Sequence, residues 1–338
     1  MTLLSYGDLA KNYQSQRLTT KLKLDMARLT KEVSTGRKAD LGAALAGDYG
    51  PYAGIERSLR SLKAYTLANT EASGMYTAMQ SALRNIQDTV RSISPGLLEA
   101  SSSRDSTLVQ SSSRDAREKM EMVVAALNTN VANRSVFAGA ATDTAPIASA
   151  SDIMDALTTE ITASGAVTVT DVVAVVDSWF DDVGGGFETI GYQGSTNDMG
   201  PLMIADDETL NVDTRADNTS IRETLKGFAL ASLVSEGIFT GSAEDKADLA
   251  QIASQRVLAS DDAITEIRAH IGSQEARIED AEARNAAEKT AYELSKSDLI
   301  SADPYDSATE FQAVYTQLQT LYTVTARVAS LRFADYMR

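Results

Sequence analysis

Apolar residues recur in two long stretches of the chain at spacings that only a helix can use. Leu22, Met26, Leu29 and Val33 follow one another at intervals of four, three and four residues, which draws one apolar stripe along one helical face. No Pro or Gly interrupts residues 8–34, and Gly36 followed by Arg37 and Lys38 marks the stop. Residues 39–54 then hold Gly42, Gly47, Gly50, Pro51 and Gly54, a breaker-rich connection. A second helix is predicted from Ile55. Its track runs through Leu59, Leu62, Tyr76, Met79, Leu83, Ile86, Val90 and Ile93 and ends at Ser94-Pro95-Gly96. A third helix is predicted over 103–133, carried by Met120, Val123, Val124, Leu127 and Val131.

The other end of the chain repeats the pattern. Leu249 and Ile252 lead into Ile264, Ile267, Ile271 and Ile278, with Arg268, Glu275, Arg277, Glu279 and Arg284 on the remaining surface. After Asp303-Pro304 a last helix is predicted, with Phe311, Val314, Leu318, Leu321, Thr325 and Val328 as its seam. An amphipathic helix is marginal alone. The expected arrangement is therefore mainly α: a long antiparallel helical hairpin or bundle formed by the N- and C-terminal flanks, with discontinuous domains. Residues 1–45 would pair with 296–338 as an assembly domain, and residues 46–140 with 226–295 as a helical stalk. The candidate assembly interface is Leu22, Met26, Leu29, Val33, Phe311, Val314, Leu318, Leu321 and Val328.

Residues 141–225 read differently, as a small α+β middle domain. Short helices are expected at 152–164 and 171–181, with Thr170 as the N-cap of the second. A β-hairpin is expected from 201–204 and 209–212 around Asp206-Asp207-Glu208, followed by a helix over 218–235. Charge sets this block apart. Residues 1–140 hold 18 basic and 13 acidic side chains, residues 141–225 hold 2 and 16, and residues 226–338 hold 11 and 18. The acidic block is expected to project from the stalk toward solvent, since like-charged copies repel. The alternative is that Leu202, Ile204, Leu210 and Val212 close the core against the helix at 218–235.

Composition removes most chemistry. The formal net charge is -16, which disfavours nucleic acid as a partner. With no Cys and one His, thiol catalysis, cysteine-rich zinc sites and multi-histidine metal sites are excluded. His270 lies between Ile267 and Ile271 with no nucleophile elbow nearby. Asp206, Asp207, Glu208 and Asp213 do not have EF-hand spacing, and Gly184-Gly185-Gly186 lacks the Gly-Lys-Ser/Thr of a phosphate loop. No enzyme, cofactor or metal signature remains. No run approaches the roughly 20 apolar residues of a membrane span, so membrane insertion is not expected, and the N-terminus lacks the pattern of a cleavable signal.

Four segments carry a resemblance. The run from Leu29 to Ser34-Thr35-Gly36-Arg37-Lys38 resembles the end of the first helix in the bacterial flagellin superfamily. The run Asp303-Pro304-Tyr305 to Leu318-Gln319-Thr320-Leu321-Tyr322, closing on Ala334-Asp335-Tyr336-Met337, resembles its last helix. Val136-Phe137-Ala138-Gly139 and Tyr192-Gln193-Gly194 resemble segments of the hook-associated members. Ala39-Asp40-Leu41-Gly42 departs from the Asn- and Asp-rich turn common there. The resemblance implies an extracellular structural subunit of the flagellum, exported unfolded through the type III channel without a cleavable signal. Its implied role is joining hook to filament, with a filament subunit as the alternative. A secreted type III tip or translocator coiled coil is a more distant one. The implied partners are neighbouring copies of itself, another hook-associated protein, flagellin and an export chaperone.

Overall fold

The computed structural model describes residues 6–336, and the side chains of residues 6–9, 11, 329 and 331–336 are not described; Met337 of the closing run lies outside the described residues. The order of elements is α1 (Tyr6–Thr35), α2 (Leu41–Ala44), α3 (Gly50–Ser103), α4 (Ser106–Leu127), β1 (Asn130–Val131), β2 (Arg134–Ser135), α5 (Ala150–Ser164), α6 (Val169–Asp181), β3 (Met199–Ala205), β4 (Glu208–Val212), α7 (Thr219–Ser232), α8 (Ala243–Ile300) and α9 (Pro304–Tyr336). A π-helical turn, Phe187–Gly191, follows α6. The chain divides into two compact units, residues 1–62 with 286–338 and residues 63–285. These boundaries differ from the expected divisions, and α3 and α8 have residues in both units.

In the first unit α1 packs along α9. Their antiparallel sense follows from the Arg37–Ser301 bridge at one end and the Arg28–Glu310 pair, 3.7 Å apart, farther along.

In the second unit one continuous apolar core includes Tyr76, Leu83 and Val90 of α3, Met120 and Leu127 of α4, Phe228 of α7 and Ile264 and Ile271 of α8. The acidic block belongs to the same core rather than projecting from it. Ile153, Leu157, Phe180, Ile204, Leu210 and Val212 are fully buried there. Its negative charge sits on the outward faces, while Ile204 and Ala205 of β3, alternate positions of β4 and one stripe of α5 and α6 turn inward.

Local chemistry moved several boundaries. Helix α3 does not end at Pro95 but continues to Ser103. The missing Pro95 N–H removes one ladder bond; burial of Ile93, Leu97 and Ala100 offsets that loss. Helix α4 starts at Ser106 because Asp105 caps it, accepting the Thr107 and Leu108 amides at 2.8 and 3.0 Å. Helix α6 is capped by Thr168, not Thr170, in a reciprocal capping box with Asp171. The β3–β4 hairpin pairs Leu202 with Leu210 and Ala205 with Glu208, and Asp207 takes φ 55° at its turn.

Candidate assembly surface

The terminal helices divide the nine candidate positions three ways. Leu22 and Leu29 on α1 and Leu318 on α9 are buried. Met26, Phe311, Val314 and Leu321 are half-buried. Val33 and Val328 are each 46% exposed. The exposed pair lies on stripes whose other members face inward, so each stripe is wider than the α1–α9 contact covers. Leu18, Leu24, Tyr315, Tyr322 and Val324 add further exposed apolar surface on the same two helices. The rings of Phe311 and Tyr315 stack with centroids 6.4 Å apart.

The Ser-Thr-Gly-Arg-Lys run ends α1 and ties it to the connection between α8 and α9. Gly36 takes φ 65°, which a side chain would resist. Past it, the Lys38 N–H donates to the Ile300 carbonyl at 2.8 Å, and the Ala302 N–H returns to the Gly36 carbonyl at 3.0 Å. Buried Glu32 accepts the Ala39 N–H at 3.0 Å and pairs with Arg28 at 3.1 Å. Asp303 caps α9 by accepting the Tyr305 and Asp306 amides at 2.8 and 3.2 Å. Pro304 fills the first helical position, where its missing donor costs nothing. Sequence reasoning missed Glu32, an acid off the apolar stripe; the Asp-Pro cap was legible as a signal.

The Phe137-Ala138-Gly139 and Tyr192-Gln193-Gly194 segments, 50 or more residues apart, interlock. The Ser195 N–H donates to the Ala138 carbonyl at 2.9 Å, and the Ala140 N–H to the Asn197 carbonyl at 3.0 Å. The Ala216 N–H donates to the Phe137 carbonyl at 2.9 Å, with the Phe137 ring fully buried. Gly139, at φ 59°, brings its Cα so near residues 195–197 that a Cβ would lie 2.4 Å from the Asn197 oxygen. The Tyr192 hydroxyl donates to the Ser195 carbonyl at 2.7 Å. Burial, with Asp217 nearby, pushes its phenol up to about 12. Tyr192 also ends an aromatic row, Trp179–Phe180–Phe187–Tyr192, with neighbouring ring centroids 4.8, 5.6 and 6.4 Å apart.

Comparison with known proteins assigns these features. The model of the bacterial flagellin N-terminal helical region matches residues 9–142, and that of the bacterial flagellin C-terminal helical region matches residues 257–335. Together they span more than half of the 338 residues. The chain belongs to the flagellin family. Among solved structures, this flagellin-family chain is similar in fold to Bacillus cereus FlgL, with TM-score 0.52 and 13% identity over 72% of this chain and 100% of that one. It is similar also to a putative flagellar hook-associated protein from Vibrio parahaemolyticus, with TM-score 0.50 and 14% identity over 75% of this chain and 99% of that one. No curated protein matches it in sequence. The unmatched stretch, 143–256, holds most of the acidic block.

Within the described residues of this flagellin-family chain, no three His, Cys, Asp or Glu side chains are grouped to hold a metal ion. No described helix is long and apolar enough to cross a membrane. His270 Nε2 meets Asp213 at 3.0 Å, both nearly half exposed, and the Ser273 hydroxyl donates to the His270 backbone carbonyl rather than to its ring.

Proposed function

We propose that this flagellin-family chain is a non-enzymatic junction protein of the hook-associated protein 3 kind, joining hook to filament outside the cell. The observation that carries the reading is the apolar surface left on α1 and α9. Val33, Tyr315, Tyr322, Val324 and Val328 face solvent on helices whose buried stripe is already satisfied. Side chains of neighbouring copies, of another hook-associated protein and of flagellin would complete those stripes. The nine-residue interface named from the sequence is part of this proposal, with Leu22, Leu29 and Leu318 holding the pair together and the outer positions making contacts between subunits. Export through the type III channel with a dedicated chaperone belongs to the same reading. The fold shared with FlgL and with a hook-associated protein favours the junction over the filament itself.

A strain lacking the chain tests it. Hooks without filaments, with flagellin released into the medium, are expected. Loss of the filament subunit itself would identify a filament protein instead. The surface is tested by Tyr322→Asp with Val324→Asp. Both side chains are about half exposed, so the unfolding midpoint should hold while binding to purified hooks is lost. Hook binding at the wild-type level would remove α9 from the interface.

A further inference from the structure

The apolar rows of α3 and α8 repeat by sevens. On α3 they are Tyr76, Leu83, Val90 and Leu97 and, beside them, Met79, Ile86 and Ile93; on α8 the row is Val257, Ile264, Ile271 and Ile278. All of these are buried. Sliding one helix by seven residues puts Val90 in the place of Leu83, or Ile271 in the place of Ile264, and leaves apolar facing apolar. Such repeats specify register weakly, and a polar residue in the seam is what fixes it.

Beside the apolar rows lies a polar contact that does not repeat. Arg268 of α8 donates from Nε to Gln80 Oε1 at 3.0 Å and from Nη1 to Gln87 Oε1. Both amides answer across the same contact. Gln80 Nε2 donates to the Arg268 backbone carbonyl at 2.9 Å, and Gln87 Nε2 to Thr265 Oγ1 at 2.8 Å and to the Asp261 carbonyl at 3.2 Å. Gln87 is 2% exposed, so its amide depends on these partners. One heptad before Gln80 stands Ser73, and one heptad after Gln87 stands Ser94. A serine hydroxyl stops two bonds short of a glutamine amide oxygen. Either shift by one heptad therefore sets a serine against Arg268 and loses one glutamine bond to the guanidinium. The shift that brings Leu98 opposite Asp261 also loses the Arg91–Asp261 pair, 3.1 Å apart. The Glu56–Lys296 pair, 2.5 Å apart, agrees with the observed register but is partly exposed, and such pairs contribute little.

We propose that Arg268, gripping Gln80 and Gln87 together, selects the register of α3 on α8 over the two registers shifted by one heptad. Arg268 is then a positioning residue: burial of the apolar rows supplies the stability, and the guanidinium decides which heptad faces which.

The chain has no Cys, so introduced cysteine pairs report the register after refolding from denaturant. Arg91→Cys with Asp261→Cys reads the observed register. Arg84→Cys with Asp261→Cys and Leu98→Cys with Asp261→Cys read the two shifted ones. With the clamp intact, only the first pair should cross-link in quantity. The clamp is removed by Gln80→Leu, Gln87→Leu and Arg268→Met, which keep the seam apolar, so the thermal midpoint should hold or rise. Shifted links should nonetheless increase about ten-fold, the scale of one charge-assisted hydrogen bond. A second variant, Gln80→Ser with Ser94→Gln, moves the clamp one heptad along α3 and should raise the Leu98–Asp261 link specifically; it keeps the proposal testable should the first variant misfold. A rise counts where the variant retains a cooperative melt, and a ten-fold rise in either variant supports the proposal. Shifted links at the wild-type level in both overturn it, and the register then belongs to the rest of the core.

Discussion

The carboxylate of Glu32 accepts the Ala39 backbone N–H at 3.0 Å, seven residues downstream and around the Gly36 turn. The same carboxylate holds Arg28 one helical turn back. Glu32 therefore fixes the exit of the chain from α1, where Lys38 bonds to Ile300 and Gly36 to Ala302 at the α8–α9 connection. Glu32→Ala should cost about 1–3 kcal/mol, the scale of a polar backbone group left without its partner. Glu32→Gln keeps an acceptor oxygen and should recover most of that loss. Amide exchange at residues 37–44 is the measurement. Unchanged protection in Glu32→Ala would show that the turn is held by the backbone pairing alone.

Two glycines with similar backbone angles separate strain from crowding. Gly139 and Gly165 have φ 59° and 69°. A Cβ on Gly165 meets nothing within 4 Å, whereas one on Gly139 meets the Asn197 and Ser195 carbonyls at 2.4 and 2.8 Å. Gly165→Ala should cost about 1–2 kcal/mol from the left-handed backbone alone. Gly139→Ala should cost at least twice that, because the interlocked backbones must part. Equal unfolding midpoints for the two variants would mean that the 137–139 and 192–195 segments yield easily.

The ease of reading differed between the two kinds of element. The stripes Leu22–Leu29 and Ile264–Ile278 obey one period over many turns, so the long helices were visible in composition and spacing. Charge misled at the middle block: a net count cannot say that Asp155 and Glu160 face outward while Leu157 and Ile161 on the same helix face the core. Pro95 misled for a related reason, since a breaker is weighed against local propensity and not against the burial of Leu97 and Ala100 beyond it. In the assembly surface the stripe residues were legible, but which of them the α1–α9 contact already covers was not. That division depends on how two helices meet, which no single stripe encodes.

Lys226 is 2% exposed and meets Asp181 at 2.5 Å and Glu223 at 2.6 Å, with Asp177 at 3.6 Å and bound in turn by Arg256. Burial alone would raise the Asp177 carboxyl, but the Arg256 hydrogen bond and charge, with Lys226 beside it, hold it below the ordinary carboxylate value. A depressed folded-state value means that the stabilisation is present above the unfolded value and is lost as pH falls through the folded one. Asp177→Asn should therefore be less stable near neutral pH, by about 1–2 kcal/mol given the partial exposure of Asp177, and should lose less on acidification than the wild type. Denaturant midpoints from pH 7 down to pH 2 test this; parallel curves would mean that Asp177 carries no linkage.

The same cluster predicts an asymmetry. Removing the ammonium by Lys226→Met leaves carboxylates that water still reaches, since Asp177, Asp181 and Glu223 are 36–46% exposed. Removing carboxylates by Asp181→Ala with Glu223→Ala leaves a buried cation short of partners, and an uncompensated buried charge is the costlier defect. Lys226→Met should accordingly destabilise less than the double alanine variant. The reverse order in thermal midpoints would show that the ammonium gains its solvation elsewhere.

Excision of residues 145–215 asks whether the acidic block is an appendage or part of the core. The deletion removes Ile153, Leu157, Phe180, Ile204 and Leu210, all fully buried against α4, α7 or their neighbours. At about 1.5–3 kcal/mol for each fully buried large side chain, their loss alone reaches the roughly 5–15 kcal/mol that typically separates a folded protein from its unfolded chain. It would also leave Phe137, Phe228 and Leu225 facing water. A chain with 145–215 replaced by a short Gly/Ser linker should therefore lack a cooperative thermal transition for residues 63–285, even where α3 and α8 keep helical signal. The single substitution Leu210→Ala, on the inward face of β4, gives the graded version and should cost about 2–5 kcal/mol. Far-UV circular dichroism through a thermal ramp distinguishes the cases. A deletion variant that melts cooperatively, within about 3–4 kcal/mol of the full chain, the scale of one sizeable buried side chain, would return the block to the status of an appendage, with the burial of Phe180 and Leu210 contributing nothing that the helices need.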